Sequence, residues 1–207
     1  MIASLLAGAA QIVAGSTVRW LGCAPTEQQR IYIANHSSHL DFIVLWSYLP
    51  ARLRRLTRPV AARDYWERTV MRRYLAVHVF NALLIDRKAP AGMLPGETGR
   101  RAVAQMAEAL DDRHSLILFP EGTRGAGEDI AAFRSGLFHL CCTRPEIEVV
   151  PVYLDNLNRI LPKGHLLPVP MLSRITFGAP LRLEQGESKA AFLERARGAL
   201  SALSEAA

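Results

Sequence analysis

Short apolar runs at 31–34, 60–62, 82–85, 115–119, 148–154 and 174–177 are each of strand length and bounded by polar or turn residues. Between them the chain carries helix-length patterns at 40–49, 65–76, 98–110, 133–142 and 189–203, with Pro50 and Pro145 supplying stops. This alternation constrains the fold more than any other feature. Strands joined through helices predict an α/β domain, with a mostly parallel central sheet flanked by helices. In such sheets ligands collect beyond the carboxyl ends of the strands. Asn35-His36, Asp86-Arg87 and Pro120-Glu121-Gly122-Thr123-Arg124 stand at such ends, so chemistry is to be sought there.

With 207 residues, half of them hydrophobic, the chain can fill one core and offset the entropy of ordering its backbone. We read 25–207 as a single domain and 1–24 as an N-terminal apolar segment. That segment, from Ile2 to Val18, is broken by Gln11, Ser16 and Thr17 and closes at Arg19. It is short for a span of ~20 residues and lacks the basic start of a signal peptide. The expectation is an apolar helix lying in a membrane surface, which places the protein at the cytoplasmic face as a peripheral or monotopic protein. Cys23, Cys141 and Cys142 have no framework spacing and read as reduced thiols.

The 25 basic residues outnumber the 19 acidic ones, which favours polyanionic partners. Only 7% of residues are aromatic and no nucleic-acid-reading module is recognisable, so lipid or a phosphorylated small molecule remains. The Arg52-Leu53-Arg54-Arg55-Leu56-Thr57-Arg58 segment fits either anionic head groups or a solvated connecting loop.

The sharpest constellation is Asn35-His36-Ser37-Ser38-His39-Leu40-Asp41. A turn through the two serines can fold Asp41 back onto His36, holding one ring nitrogen while the other faces a substrate hydroxyl, as a general base needs. Ser38-x-x-Asp41 is equally a capping box in form, and His36, His39 and Asp41 could be read as metal ligands, although the spacing is not a standard zinc pattern. His39 otherwise reads as a packing or helix-surface residue.

In the Phe119–Arg124 segment, Gly122 permits close backbone approach and Arg124 can grip a phosphate bidentately; a Glu121–Arg124 ion pair in a tight loop is the plain alternative. Arg134, at the start of the helix expected from Phe133, offers a further cation beside free N–H groups. Arg87 ends a strand as another cation, or as half of a loop salt bridge. Pro151 within an apolar strand suggests a sheet edge or a bulge.

These pieces, in this order, resemble the four sequence blocks of the glycerolipid acyltransferases, especially the 1-acylglycerol-3-phosphate acyltransferase family, from about Asn35 to Leu154. The resemblance implies His36 as general base with Asp41 as its partner. It also implies phosphate binding by Arg87, Glu121, Gly122, Thr123 and Arg124, with Arg134 standing where the family often has lysine. Asn81 and Leu84 depart from the glycine and phenylalanine usual in the second block. The implied reaction is direct transfer from acyl-CoA or acyl carrier protein to lysophosphatidate at an anionic membrane surface, with no metal, cofactor or nucleic acid. Another acceptor, or a non-catalytic lipid-binding module, are the rival expectations.

Overall fold

The structure, a computed structural model, describes residues 2–38, 41–87, 96–125, 129–156 and 173–205. Seven strands form one sheet: β1 (Thr17–Trp20), β2 (Arg30–Ala34), β3 (Thr57–Ala62), β4 (Leu83–Ile85), β5 (Ser115–Leu118), β6 (Glu148–Asp155) and β7 (Arg174–Phe177). Their order is β1-β7-β6-β2-β5-β3-β4, parallel throughout except for the antiparallel β6–β7 pair. The expected α/β architecture with a mostly parallel sheet is therefore present. Strand β2, buried along its whole length, shows how it is held: Ile31 and Ile33 enter the core on one face, Tyr32 and Ala34 the core on the other.

One face is covered by α1 (Ile2–Ala14), α2 (Asp41–Tyr48), α3 (Ala51–Leu56), α4 (Arg63–Trp66), α5 (Val70–Tyr74) and a π-turn at Leu75–Val79. Phe42, Trp46, Trp66 and Phe80 interlock edge to face in this layer. The other face carries α6 (Glu97–Asp111), α7 (Gly136–Thr143) and α8 (Lys189–Glu205), packed through residues such as Leu110, Leu140 and Phe192.

Several elements differ from expectation. The helix expected at 65–76 is interrupted after Trp66, and the Thr69 hydroxyl caps the restart by accepting from Arg72 N–H at 3.2 Å. The arginine-rich segment is not a loop but α3 running into β3. Within it Arg54 donates to the Ser47 carbonyl and lies 5.0 Å from the Trp46 ring centroid, Arg58 donates to the Asn81 carbonyl, and Arg52 pairs with Glu27. Partial burial lowers the pKa of Arg54 and of Arg58. Pro151 is not at an edge, since β6 lies between β2 and β7. The register does shift there: Val152 faces Phe177, but Val149 bridges Leu181, so the β7 side carries one extra residue.

Within the N-terminal segment, Ile2–Ala14 is helical and packs with the rest of the fold. Gln11 donates to the Ser47 carbonyl at 2.7 Å, and β1 pairs with β7 at the sheet margin. Among the described residues no helix is long and apolar enough to cross a membrane. All three cysteines are free; burial, with Cys142 beside it, pushes the Cys141 thiol up to about 12.

Candidate active site

Strand β2 ends at Ala34, and Asn35 prolongs its grip on β6 by mimicking a backbone: its amide donates to the Leu154 carbonyl at 2.9 Å and accepts from Leu154 N–H at 2.8 Å. The next residue, His36, is thereby fixed at the carboxyl end of the sheet. Its Nδ1 lies 2.8 Å from Asp41 Oδ2, and the same oxygen accepts from the N–H groups of Ser37 at 2.6 Å and Ser38 at 2.8 Å. The capping interaction and the imidazole contact thus coexist on one carboxylate oxygen. An ionised carboxylate only accepts, so Nδ1 is the donor, and in the neutral imidazole Nε2 then keeps its lone pair. Asp41 is wholly buried whereas the His36 side chain keeps 23% of its exposure, with the ring stacked on Phe119 at 4.3 Å. His39 lies outside the described residues.

The loop after β5 is tied to the His36 backbone. Glu121, 5% exposed, accepts from His36 N–H through Oε1 at 2.8 Å and from Ala131 N–H through Oε2 at 3.0 Å, while Gly125 N–H donates to the His36 carbonyl at 2.8 Å. Glu121 was expected on the phosphate or in an ion pair with Arg124. Its oxygens are instead occupied by backbone donors, and a buried carboxylate so held fixes loops rather than attracting another anion. Gly122 has φ +71°, and a Cβ there would come within 2.3 Å of Arg134 Nε, so both conformation and space require glycine. Arg134 N–H donates to the Pro120 carbonyl at 2.8 Å and its Nε to the Glu121 carbonyl at 3.2 Å. Helix α7 begins at Gly136, so Arg134 belongs to this loop and not to the helix start.

Strands β3 and β4 pair with Ala62 opposite Ile85, which sets the following residues side by side. Arg63 Nε donates to Asp86 at 3.1 Å, and Arg87 donates to Asp64 through Nε at 3.2 Å and through Nη2 at 3.0 and 2.8 Å. The Arg-Asp and Asp-Arg dipeptides therefore cross-pair. Asp64 takes the Nε edge of the Arg87 guanidinium and leaves Nη1 available. The salt-bridge reading of Arg87 holds, with a partner the sequence did not indicate. The strand-end rule, applied to the residues after β3, would have pointed to Asp64.

A cavity of about 600 Å³ collects these parts. His36, Arg87, Gly122, Thr123, Arg124 and Arg134 all line it, while Asp41 and Glu121 stand behind the lining. Arg124 makes no ion pair among the described residues, so its guanidinium is unspent. Apart from Asp86, which pairs with Arg63, the remaining wall is largely apolar, with Phe42, Val60, Tyr65, Trp66 and Phe119. Sequence reasoning did not assign these residues to a site, because the aromatic and aliphatic members read as ordinary core. The arrangement offers a base with a free nitrogen, guanidinium groups for a doubly charged oxyanion, and hydrocarbon for an alkyl chain.

Comparison with known proteins gives the chain a family. The acyltransferase family model matches residues 17–155. The 1-acyl-sn-glycerol-3-phosphate acyltransferase of Limnanthes alba is 30% identical over 175 residues, covering 77% of this chain and 56% of that protein. The human 1-acyl-sn-glycerol-3-phosphate acyltransferase alpha is 29% identical over 133 residues, covering 64% of this chain and 42% of its own length. The chain thus spans about half the length of the curated relatives it matches. The crystal structure of the 1-acyl-sn-glycerophosphate acyltransferase PlsC from Thermotoga maritima superposes with a TM-score of 0.74 at 19% identity, covering 99% of this chain and 78% of that one, and shows the same fold. On the extent of the family match and the likeness to these relatives, the chain belongs to the acyltransferase family.

Proposed function

We propose that the protein moves a fatty acyl group from the thioester of acyl-CoA or acyl carrier protein to the free hydroxyl of 1-acylglycerol 3-phosphate, giving phosphatidic acid. The observation that carries this reading is His36, backed by Asp41, opening on the same cavity as Arg87, Arg124 and Arg134. The arginines hold the acceptor phosphate, setting the glycerol hydroxyl within reach of His36 Nε2. That nitrogen takes the hydroxyl proton as the oxygen attacks the thioester carbonyl, and Asp41 stabilises the imidazolium so formed. Collapse of the tetrahedral adduct breaks the C–S bond. The imidazolium returns its proton to the departing thiolate, so the products are an ester and a free thiol, with no acyl-enzyme intermediate. Asp41 and Glu121 act as positioning residues; Gly122 and Thr123 let the backbone approach the phosphate. We place the enzyme on the cytoplasmic face of the membrane, with the exposed Leu5 and Ile12 of α1 in contact with lipid.

Thiol release from acyl-CoA or acyl carrier protein in the presence of lysophosphatidate measures the reaction directly. His36→Ala is expected to lower it by about 10²–10⁴-fold. Turnover by His36→Ala equal to the parent overturns the assignment. A panel of glycerol 3-phosphate and other lysophospholipids reads the acceptor, and lysophosphatidate binding without turnover favours a purely lipid-binding role.

A further inference from the structure

Large apolar side chains left in solvent are concentrated on one layer of the molecule. Helix α1 contributes Ile2, Leu5 and Ile12, α3 contributes Leu56, and α5 with the π-turn contributes Val70, Met71, Tyr74 and Val77. On the opposite face, α6, α7 and α8 contribute none among the described residues.

The stretch 70–79, α5 followed by the π-turn, presents apolar side chains on its outward as well as its inward side. Ala76 and Val79 turn into the core, while the outward residues fall at i, i+1, i+4 and i+7, a spacing that a water-exposed helix normally reserves for its buried stripe. Val70 is 89% exposed and Met71 73%. From Arg68 to Ile85 the chain has no acidic residue, Glu67 just before it is paired with Arg63, and Arg68 and Arg73 form no ion pair among the described residues. Arg72 lies 4.6 Å from the centroid of the Tyr65 ring, and Tyr65 with Trp66 walls the cavity, so the helix that carries the stripe abuts the cavity wall through Arg72.

We propose that the Val70, Met71, Tyr74 and Val77 stripe, flanked by Arg68 and Arg73, is a docking element for an anionic lipid surface, separate from α1. Aliphatic side chains with only arginine and tyrosine between them suit the boundary of acyl chains and head groups, where apolar insertion and phosphate pairing act together. A protein partner would ask for hydrogen-bonding groups spread across the patch. Two apolar elements in the same layer also match a continuous hydrocarbon surface. The proposal extends the proposed reaction and rests on it only for its use, because lipid would then reach the cavity through the wall formed by Tyr65 and Trp66.

Sedimentation of the full chain with phosphatidylcholine vesicles, with and without phosphatidylglycerol, tests it without any catalytic step. Val70→Ser/Met71→Ser keeps the net charge and alters only exposed side chains. It is expected to reduce the bound fraction on anionic vesicles by about tenfold, while turnover of a monomeric short-chain lysophosphatidate is retained. Arg68→Gln/Arg73→Gln is expected to remove most of the preference for phosphatidylglycerol. Unchanged vesicle binding by the serine variant overturns the proposal. So does a loss confined to acyl carrier protein as donor, or loss of a dimer in sedimentation velocity, since either assigns the stripe to a protein. Failure of the reaction itself leaves the vesicle result standing.

Discussion

Glu121 shows how much can depend on which donors surround a carboxylate. Its two oxygens satisfy the N–H groups of His36 and Ala131, joining the loop after β2 to the loop after β5. Glutamine keeps the shape but presents one amide nitrogen to a backbone donor, leaving a buried N–H unsatisfied. Glu121→Gln is therefore expected to lower stability by about 1–3 kcal/mol, read by urea unfolding, and to lower turnover because His36 loses its anchor. Gly122, Arg124 and the His36–Asp41 pair were legible in the sequence because the turn that joins each is local. The task of Glu121 was not, because its donors lie 85 and 10 residues away and a sequence shows charge without showing neighbours.

Register does at the level of strands what turns do at the level of residues. Because Ala62 faces Ile85, Asp64 meets Arg87 and orients its guanidinium toward the cavity. The pair is exposed, so its contribution is at most about 1 kcal/mol, and Asp64→Asn is expected to raise the acceptor KM by about two- to fivefold with kcat little changed. Steady-state kinetics over a range of acceptor concentrations checks that split. Most elements were legible because their apolar periodicity is complete within each run. β1 was hidden inside a longer apolar run whose strand character shows only in pairing with Arg174–Phe177. The break after Trp66 was hidden because the pattern continues across it, while the cap at Thr69 is a single hydroxyl.

The whole molecule is a sheet between two unlike layers, one bearing the aromatic cluster and the outward apolar stripes, the other the helices α6, α7 and α8. The second core depends on residues late in the chain, Phe192, Ala196 and Leu200, and the first on Ile175 and Phe177. A chain stopped at residue 172 loses all of these together with β7, and is expected to show no cooperative urea transition by circular dichroism. The partnership of β1 with β7 has a consequence for synthesis. Trp20, the last residue of β1, aligns with Phe177, so β1 has no mate until synthesis has passed Phe177, a wait on the order of ten seconds. During that interval α1, with Leu5 and Ile12 on its surface, is tethered to a strand that has no partner.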